Sequence, residues 1–280
     1  MLNGKTCLVT GATSGIGKAT ACALAAQGAT VILISRNAAK GEAVRQEIAA
    51  QAHNNDIRVF TADLSIQAEI RRLAGEIRSS CSCIDVLVNN AGGIFDKRVV
   101  TPDGIEMTLA LNHLGYFLLT NLLLDQLKCS PGARIVNVSS DAHKFGTLDF
   151  KDIGYAHDYN SMKSYARSKL LNVLFTYELA ERLQGTRITV NAFHPGAVRS
   201  RFGKELSGIG GFVFKYLDMF MRSPERGADT AIWLASDPVL NGVSGKYFQD
   251  RREKKSSRLS YNHLIAKQLW DVSEQLTQIK

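Results

Sequence analysis

Short apolar and β-branched runs alternate with longer segments of helical spacing along the 280-residue chain. The apolar runs predict buried strands at residues 6–9, 30–34, 57–60, 86–88, 134–138 and 189–193. The segments between them predict helices at residues 18–27, 38–51, 66–79, 105–127 and 161–183. This alternation predicts an α/β fold, with a doubly wound parallel sheet of the Rossmann type and helices on both faces.

The chain shows no fixed-period repeat, low-complexity tract or Pro/Ser-rich linker. Residues 1–280 are therefore predicted to form a single domain. The run 201–226 departs from the rhythm of the sheet, and we interpret it as an insertion.

The composition is that of a globular protein, with 45% hydrophobic and 21% charged residues. No stretch approaches the ~20 apolar residues of a transmembrane span, and the N-terminus lacks the apolar run of a signal peptide, so we expect a cytoplasmic protein. Five cysteines, with no second pair beside Cys81 and Cys83, argue against a disulfide framework or a metal site. Much of the net charge of +8 lies in residues 251–258, with few aromatic residues nearby, which favours a solvated face and not nucleic-acid binding.

A glycine-rich run, TGATSGIGKA at residues 10–19, follows the first predicted strand. A triphosphate-binding loop requires Gly-Lys-Ser/Thr at its end, because the hydroxyl ligates magnesium, and here Ala19 follows Lys18. A dinucleotide-binding loop requires only glycines where the backbone turns and approaches a pyrophosphate at a helix N-terminus. The sequence favours the second type, with a cofactor-binding loop formed by Gly11, Thr13, Ser14, Gly15, Ile16 and Gly17.

The second predicted strand ends in Ser35-Arg36-Asn37, without the carboxylate that would accept hydrogen bonds from the ribose of NAD. Arg36 suits a 2′-phosphate, so NADP(H) is the predicted cofactor, although a surface arginine at a helix start is the alternative. Asp63 and Leu64, after the third strand, are candidates to contact the adenine; Asp63 is equally an ordinary helix N-cap.

Tyr165 and Lys169 are four residues apart in a predicted helix and therefore share one face. A neighbouring ammonium is expected to lower the pKa of the tyrosine, which would make Tyr165 a general acid for a carbonyl oxygen and a general base in reverse. Ordered motifs precede this pair: Asn89-Asn90-Ala91-Gly92 after the fourth strand, Asn112 in a helical segment, and Ser139-Ser140 after the fifth strand.

Together these residues resemble the short-chain dehydrogenase/reductase family, with its T-G-x-x-x-G-x-G, N-N-A-G and Y-x-x-x-K motifs, over nearly the whole chain. The resemblance implies that Tyr165 donates and accepts the proton and that Lys169 holds the nicotinamide ribose. It implies that Ser140 orients the carbonyl, that Asn112 holds a water in a proton relay, and that Asn90, Ala91 and Gly92 support the cofactor. We chose Ser140 over Ser139 by its distance from the tyrosine. The segment after the sixth strand would cradle the nicotinamide through Pro195, Gly196, Val198 and Ser200.

Within the family, NVSSDAHK, HPGAVRS and LWDVSEQL resemble the retinol dehydrogenase branch, to which protochlorophyllide reductase is related. The resemblance implies NADP(H)-dependent hydride transfer to or from a hydrophobic carbonyl or alcohol such as retinal. A non-catalytic NADP(H)-binding regulator and a protochlorophyllide reductase-like enzyme are the alternatives.

The insertion at 201–226 is expected to close over the substrate as a lid. Its apolar residues suit a hydrophobic substrate and would permit peripheral membrane contact, although a core or dimer helix explains them equally. These residues are Phe212, Phe214, Tyr216, Met219, Phe220 and Met221. The apolar pattern of helix 161–183, including Leu170, Val173, Leu174 and Tyr177, permits a homodimer, and internal packing is the alternative.

Overall fold

A computed structural model describes residues 1–198 and 222–279. The chain forms an eight-stranded sheet in the order β3-β2-β1-β4-β5-β6-β7-β8, in which every neighbouring pair is parallel except β7 and β8. The strands are β1 Thr6–Thr10, β2 Thr30–Ser35, β3 Ile57–Thr61, β4 Val86–Asn89, β5 Arg134–Val138, β6 Thr189–His194, β7 Lys246–Gln249 and β8 Arg252–Glu253. The predicted doubly wound parallel sheet in a single domain is confirmed, and β7 and β8 were not predicted.

Helices connect the strands and cover both faces of the sheet. They are α1 Gly15–Ala26, α2 Ala38–Ala52, α3 Gln67–Ser80, α4 Met107–Leu109, α5 Gly115–Leu122, α6 Leu124–Cys129, α7 Ser161–Arg182, α8 Pro224–Ser236 and α9 His263–Thr277. The prediction of one continuous helix over 105–127 is wrong. A π-helical turn at Ala110–Leu114 separates α4 from α5, and α6 follows α5 after a break at Leu123.

The strands place alternate side chains in two cores, one on each face of the sheet. Leu8 and Ile32 belong to the core packed against α3, α5 and α7, whereas Cys7 and Val31 belong to the core packed against α1, α2 and α8. All four side chains are fully buried. The sheet is therefore covered on both faces, and its carboxyl edge is left to the loops.

Buried amide side chains connect the central strands to α7. Asn89 Nδ2 donates to Asn137 Oδ1 at 2.9 Å, and Asn137 Nδ2 donates to Thr176 Oγ1 at 3.0 Å. All three residues are fully buried. The hydrogen bonds hold β4, β5 and α7 in register, and these elements carry the loops of the candidate site.

The apolar positions of α7 are explained by packing within the chain. Leu170, Val173 and Leu174 are fully buried, and Tyr177 packs beside Val173 and Tyr247. Their pattern therefore needs no second copy of the chain, and a homodimer stays a prediction.

Most of the predicted insertion, including its six apolar residues, lies outside the described residues. The description resumes at Arg222, which pairs with Val198 in an isolated parallel bridge. Residues 224–226, the last three of the predicted insertion, form the first turn of α8, which is capped by the Ser223 hydroxyl. No helix within 1–198 or 222–279 has the length and apolar character needed to cross a membrane.

Candidate active site

A cavity of about 580 Å³ opens at the carboxyl ends of the parallel strands. The strand order reverses between β1 and β4, and ligands of doubly wound sheets bind at this crevice. Residues that follow six of the strands line it. Most of the predicted cofactor-binding residues are among them: Gly11, Thr13, Ser14, Gly15, Ile16, Gly17, Arg36, Leu64, Asn90, Ala91, Gly92, Tyr165, Lys169, Pro195, Gly196 and Val198.

The glycine-rich loop brings the backbone to the floor of the cavity. Gly11 has a φ of +63°, which favours glycine. A Cβ on Gly17 would lie 2.4 Å from Asn90 Nδ2 and 2.5 Å from the Gly11 carbonyl oxygen, so only glycine fits there. Helix α1 then begins with no acidic residue in its first turn and no side-chain cap from Ser14. Its main-chain N–H groups and the positive end of its dipole are therefore available to an anion.

Lys18 does not contribute to this anion site. Its ammonium forms an ion pair with Glu47 on α2 and does not line the cavity. A triphosphate-binding loop would direct this lysine to the phosphates. The geometry therefore agrees with the dinucleotide type of loop.

Asn90 and Thr10 join the glycine-rich loop to the loop after β4. Asn90 Nδ2 donates to the Thr10 carbonyl oxygen at 2.8 Å, and the main-chain N–H groups of Asn90 and Ala91 donate to Thr10 Oγ1 at 2.8 and 2.9 Å. The supporting role that the resemblance implied for Asn90 thus has a structural basis in these contacts.

Two cations stand at the end of β2. Arg36 is exposed and lines the cavity, and its guanidinium has no hydrogen-bond or ion-pair partner within the described parts of the chain. Lys40, in the first turn of α2, lines the same cavity and was not predicted. The signal was available in sequence, because the Asn37 cap fixes the helix start and places residue 40 one turn away.

The two candidate residues after β3, Asp63 and Leu64, differ in whether they line the cavity. Leu64 lines the cavity and is buried. Asp63 does not line it, because its carboxylate turns back to accept from the main-chain N–H and the hydroxyl of Ser65 at 2.9 and 2.6 Å. The alternative helix-capping role is also not observed, since α3 begins at Gln67 after Ile66. Asp63 instead stabilises a local turn.

Tyr165 and Lys169 lie one turn apart on α7 and both line the cavity. Tyr165 is half-buried, whereas Lys169 is buried, with 3% of its surface exposed. Lys169 Nζ donates to the Val138 carbonyl oxygen at 3.2 Å and lies 5.6 Å from the centroid of the Tyr165 ring. The predicted pair therefore shares one face of α7 and faces the cavity.

The predicted lowering of the tyrosine pKa is wrong. Burial raises the pKa of Tyr165 to about 12, against an opposing hydrogen bond with the Ser140 side chain. Burial also lowers the pKa of Lys169 to about 7. The lysine thus carries only part of a positive charge near neutral pH, and its attraction for a phenolate does not overcome the desolvation of the tyrosine.

The two serines after β5 differ in what their hydroxyls do. Ser139 is buried, and its hydroxyl donates to the Lys169 carbonyl oxygen at 2.9 Å. Ser140 is half-buried and caps the short 3₁₀ helix Asp141–Phe145 by accepting from the Ala142 N–H at 3.2 Å. Its side chain also lies close enough to Tyr165 to lower the pKa of the phenol. Of the two serines, Ser140 is therefore the one that influences Tyr165, and its role in orienting a carbonyl stays a prediction.

Asn112 is fully buried within the π-helical turn and does not line the cavity. Its amide accepts from the Gly93 N–H at 2.8 Å and donates to the Gly93 carbonyl oxygen at 2.9 Å and to Ser168 Oγ at 3.0 Å. Asn112 thus fixes the wall of the cavity beside Gly92. π-Turns of this kind are frequent at functional sites.

The segment after β6 closes the cavity opposite the glycine-rich loop. Pro195, Gly196 and Val198 line it, and Gly196 has a φ of +84°. A Cβ on Gly227 of α8 would lie 2.5 Å from Val198 Cγ2, so α8 packs closely against this segment. Ser200 lies outside the described residues.

The short chain dehydrogenase family model matches residues 5–208. Retinol dehydrogenase 14 of Mus musculus is 40% identical over 292 residues, which cover 100% of this chain and 87% of that protein. Retinol dehydrogenase 12 of Homo sapiens is 41% identical over 279 residues, which cover 100% of this chain and 88% of that protein. The fold and the site thus define an oxidoreductase that acts on CH–OH or carbonyl groups. The chain belongs to the short-chain dehydrogenase/reductase family, in its retinol dehydrogenase-like branch.

Solved structures agree with this family. An uncharacterized protein from Mycobacterium paratuberculosis has a TM-score of 0.81 and 33% identity and covers 99% of this chain and 94% of its own. A 3-ketoacyl-(acyl-carrier-protein) reductase from Brucella melitensis complexed with NADH has a TM-score of 0.70 and 25% identity, and the match covers 89% of this chain and 97% of that protein. A short chain dehydrogenase from Shigella flexneri complexed with NADP has a TM-score of 0.70 and 26% identity, and the match covers 90% of this chain and 98% of that protein. The second and third of these neighbours are thus complexed with NADH and with NADP, respectively.

Proposed function

We propose that this protein is an NADPH-dependent reductase that converts a hydrophobic aldehyde or ketone, of the type of retinal, into the alcohol. The observation that carries the proposal is the meeting of Tyr165, Ser140 and Lys169 at one end of a cavity whose other parts are a glycine-rich loop and two cations. The cavity offers anion-binding main-chain groups in one region and a proton donor in another, as reduction with a dinucleotide requires.

The residues present fit a nicotinamide dinucleotide. The close approach of backbone at Gly17 and the uncapped N-terminus of α1 suit a pyrophosphate. Arg36 and Lys40 place two positive groups where the second strand ends, and no carboxylate of the described residues lines the cavity. A 2′-phosphate would be favoured there, which supports NADP(H) over NAD(H).

When bound, the cofactor supplies the hydride for reduction or accepts it in the reverse direction. Tyr165 holds its proton at neutral pH, because burial keeps its pKa at about 12, and a phenol in this form is ready to donate to a carbonyl oxygen. The Ser140 side chain lines the cavity beside Tyr165 and lowers the pKa of its phenol, so its hydroxyl would orient that oxygen. Lys169, with a pKa of about 7, is suited to return a proton to Tyr165. Asn112 holds the loop after β4, which lies between these two residues and the glycine-rich loop.

Apolar side chains support a hydrophobic substrate. Ile94, Phe95 and Leu111 line the cavity near the predicted catalytic residues. The named relatives act on retinol according to their names. Further parts of the proposal rest on the sequence: the lid function of residues 201–226, the contact with a membrane surface, the homodimer and the cytoplasmic location.

A non-catalytic NADP(H)-binding regulator would need the same cofactor loop but would not need Tyr165, Ser140 and Lys169 in one cluster. A protochlorophyllide reductase-like enzyme is not favoured, because the named relatives are retinol dehydrogenases. We therefore retain the reductase.

The test follows NADPH oxidation by absorbance with retinal, other aldehydes, ketones and quinones. Tyr165→Phe should abolish turnover and leave NADPH affinity unchanged. Tyr155→Phe is the matched control, because it removes a buried hydroxyl that has no hydrogen-bond partner among residues 1–198 and 222–279. NADPH binding without turnover of any carbonyl would favour the regulator, and turnover confined to small polar carbonyls would refute the substrate class.

The cofactor assignment has a separate test. Arg36→Asp should weaken NADPH binding much more than NADH binding, because it removes a partner of the 2′-phosphate and adds a like charge. Dissociation constants from fluorescence titration of each nucleotide measure the ratio. An equal effect on both nucleotides would contradict the assignment of NADP(H).

A further inference from the structure

His143 lies directly behind Ser140 and is fully buried. Its Nδ1 is 2.7 Å from the Ser140 carbonyl oxygen, which also accepts from the His143 main-chain N–H at 3.0 Å. On the other side of the ring, the main-chain N–H of Ser257 donates to His143 Nε2 at 2.9 Å. Both ring nitrogens therefore have partners, one on the active-site turn and one near the C-terminus of the chain.

These partners fix the state of the ring. The Ser257 N–H can only donate, so Nε2 must carry a lone pair, and the neutral ring then has its proton on Nδ1. Nδ1–H donates to the Ser140 carbonyl oxygen. Burial lowers the pKa of His143, which favours this neutral form.

The Ser257 end of the connection is itself anchored. Ser260 Oγ donates to the Ser257 carbonyl oxygen at 2.6 Å, and Ser256 Oγ lies 2.6 Å from Ser260 Oγ. Ser256 Oγ also lies 2.7 Å from the hydroxyl of Tyr177 on α7. Because α7 carries Tyr165, the serine cluster formed by Ser256, Ser257 and Ser260 is attached to the helix of the proposed acid.

The ring of His143 is held from the side as well. It packs against Tyr247 of β7 with ring centroids 4.8 Å apart. The Tyr247 hydroxyl donates to Asp141 Oδ1 at 3.1 Å, on the same turn as His143. The turn that begins at Ser140 is thus supported by elements that come after the nucleotide-binding part of the chain.

We propose that His143 is a positioning residue, which holds the main chain of Ser140 against the serine cluster and so keeps the Ser140 hydroxyl directed at Tyr165. The inference rests on the role of Ser140 in the proposed function. It also gives the C-terminal segment a part in the reaction, although Ser256, Ser257 and Ser260 do not line the cavity.

Three variants separate positioning from general support of the fold. His143→Phe keeps an aromatic ring and removes both hydrogen bonds. His143→Gln keeps one donor and one acceptor. Ser257→Pro removes the N–H donor, together with a side-chain hydroxyl that has no hydrogen-bond partner among the described residues, and the φ of −64° at Ser257 suits proline. For each we would measure kcat, the KM for the carbonyl, the dissociation constant for NADPH and the unfolding midpoint.

His143→Phe should lower kcat by about 10- to 100-fold, because small displacements of an orienting group have effects of this size. NADPH affinity should not change, since His143 does not line the cavity. His143→Gln should recover most of kcat. Ser257→Pro should lower kcat in the same direction, and the double variant should be no slower than His143→Phe, because the two residues act through one connection. His263→Phe, at the exposed start of α9, is the matched control.

A wild-type kcat in His143→Phe would overturn the inference, and so would a parallel loss of kcat, NADPH affinity and stability that His143→Gln does not repair. If His143→Phe does not fold, an unchanged kcat in Ser257→Pro overturns it. Absence of carbonyl turnover in the wild-type protein overturns the proposed function together with the inference. Wild-type turnover with unaffected variants overturns the positioning role alone.

Discussion

Replacement of Lys169 by methionine should stabilise the protein while it abolishes activity. The ammonium of Lys169 is buried, and burial lowers its pKa from the ordinary 10.5 to about 7. Because the pKa is lower in the folded chain, this lysine is protonated in the unfolded chain and largely neutral in the folded chain between pH 7 and 10.5. The free energy of unfolding therefore falls as the pH falls from 10.5 to 7 and levels off below 7.

The size of the effect follows from the same shift. At about 1.4 kcal/mol per pH unit, the burial of the charged lysine costs about 4 kcal/mol at pH 7. Methionine has similar length and helix propensity and carries no charge. The Val138 carbonyl oxygen keeps a second donor, Asn172 Nδ2 at 3.2 Å, so the substitution leaves no unpaired acceptor. With about 1 kcal/mol subtracted for the lost hydrogen bond, Lys169→Met should gain about 3 kcal/mol at pH 7.

Urea unfolding of nucleotide-free protein at pH 7 and at pH 10 provides the measurement. The advantage of Lys169→Met over the wild type should be largest at pH 7 and should shrink at pH 10, because the wild-type lysine is then neutral. Lys163→Met is the control, since Lys163 is exposed on the same helix and should change stability little. Equal stability of Lys169→Met and wild type at pH 7, or a gap that does not change with pH, would refute the reasoning.

Three other substitutions test separate parts of the structure. His113 is buried with a pKa lowered to about 4, so unfolding should become easier by about 2 to 3 kcal/mol between pH 6.5 and 4.5, and His113→Gln should remove that slope in urea titrations. Gly17→Ala should weaken NADPH binding at least about tenfold in a titration, because its Cβ would overlap backbone. Gly75→Ala should not, because a Cβ at Gly75 would have no atom of the described residues within 4 Å. Arg167 is buried and donates to three main-chain carbonyl groups, so Arg167→Lys should lower the free energy of unfolding by about 2 kcal/mol, and an unchanged unfolding midpoint would contradict that role.

The elements of the sheet could be predicted because apolar runs report burial on both faces. Six strands were found in this way, and their order along the chain was enough to predict the parallel sheet. β7 and β8 were missed because they are short and carry polar residues, with Lys246 and Gln249 at the ends of β7 and both residues of β8 exposed. An edge of this kind has no apolar pattern to detect.

The helices show the same limit. The apolar pattern from residue 105 to 127 is continuous, and it does not record that the chain changes its hydrogen-bonding period at Ala110–Leu114. Asn112 lies in this π-helical turn, and its side-chain amide forms hydrogen bonds with the main chain of Gly93. Gly93 belongs to the loop after β4, which is distant in the sequence pattern. A contact between distant segments therefore decided the local helix, and sequence spacing alone could not reveal it.

The chemistry of the site, too, could be predicted from the sequence only in part. Spacing of four residues was enough to bring Tyr165 and Lys169 to one face of α7, but the pKa values depend on how deeply β5 and its loop bury both groups. Burial reverses the expected direction for the tyrosine and leaves the lysine close to half charged at neutral pH. On the proposed function, Tyr165 would enter the reaction protonated, and Lys169, which would return the proton, has a pKa near the neutral pH of the solution. We therefore expect such a pair to suit the proposed reduction at neutral pH better than the oxidation, for which the phenol would first have to lose its proton.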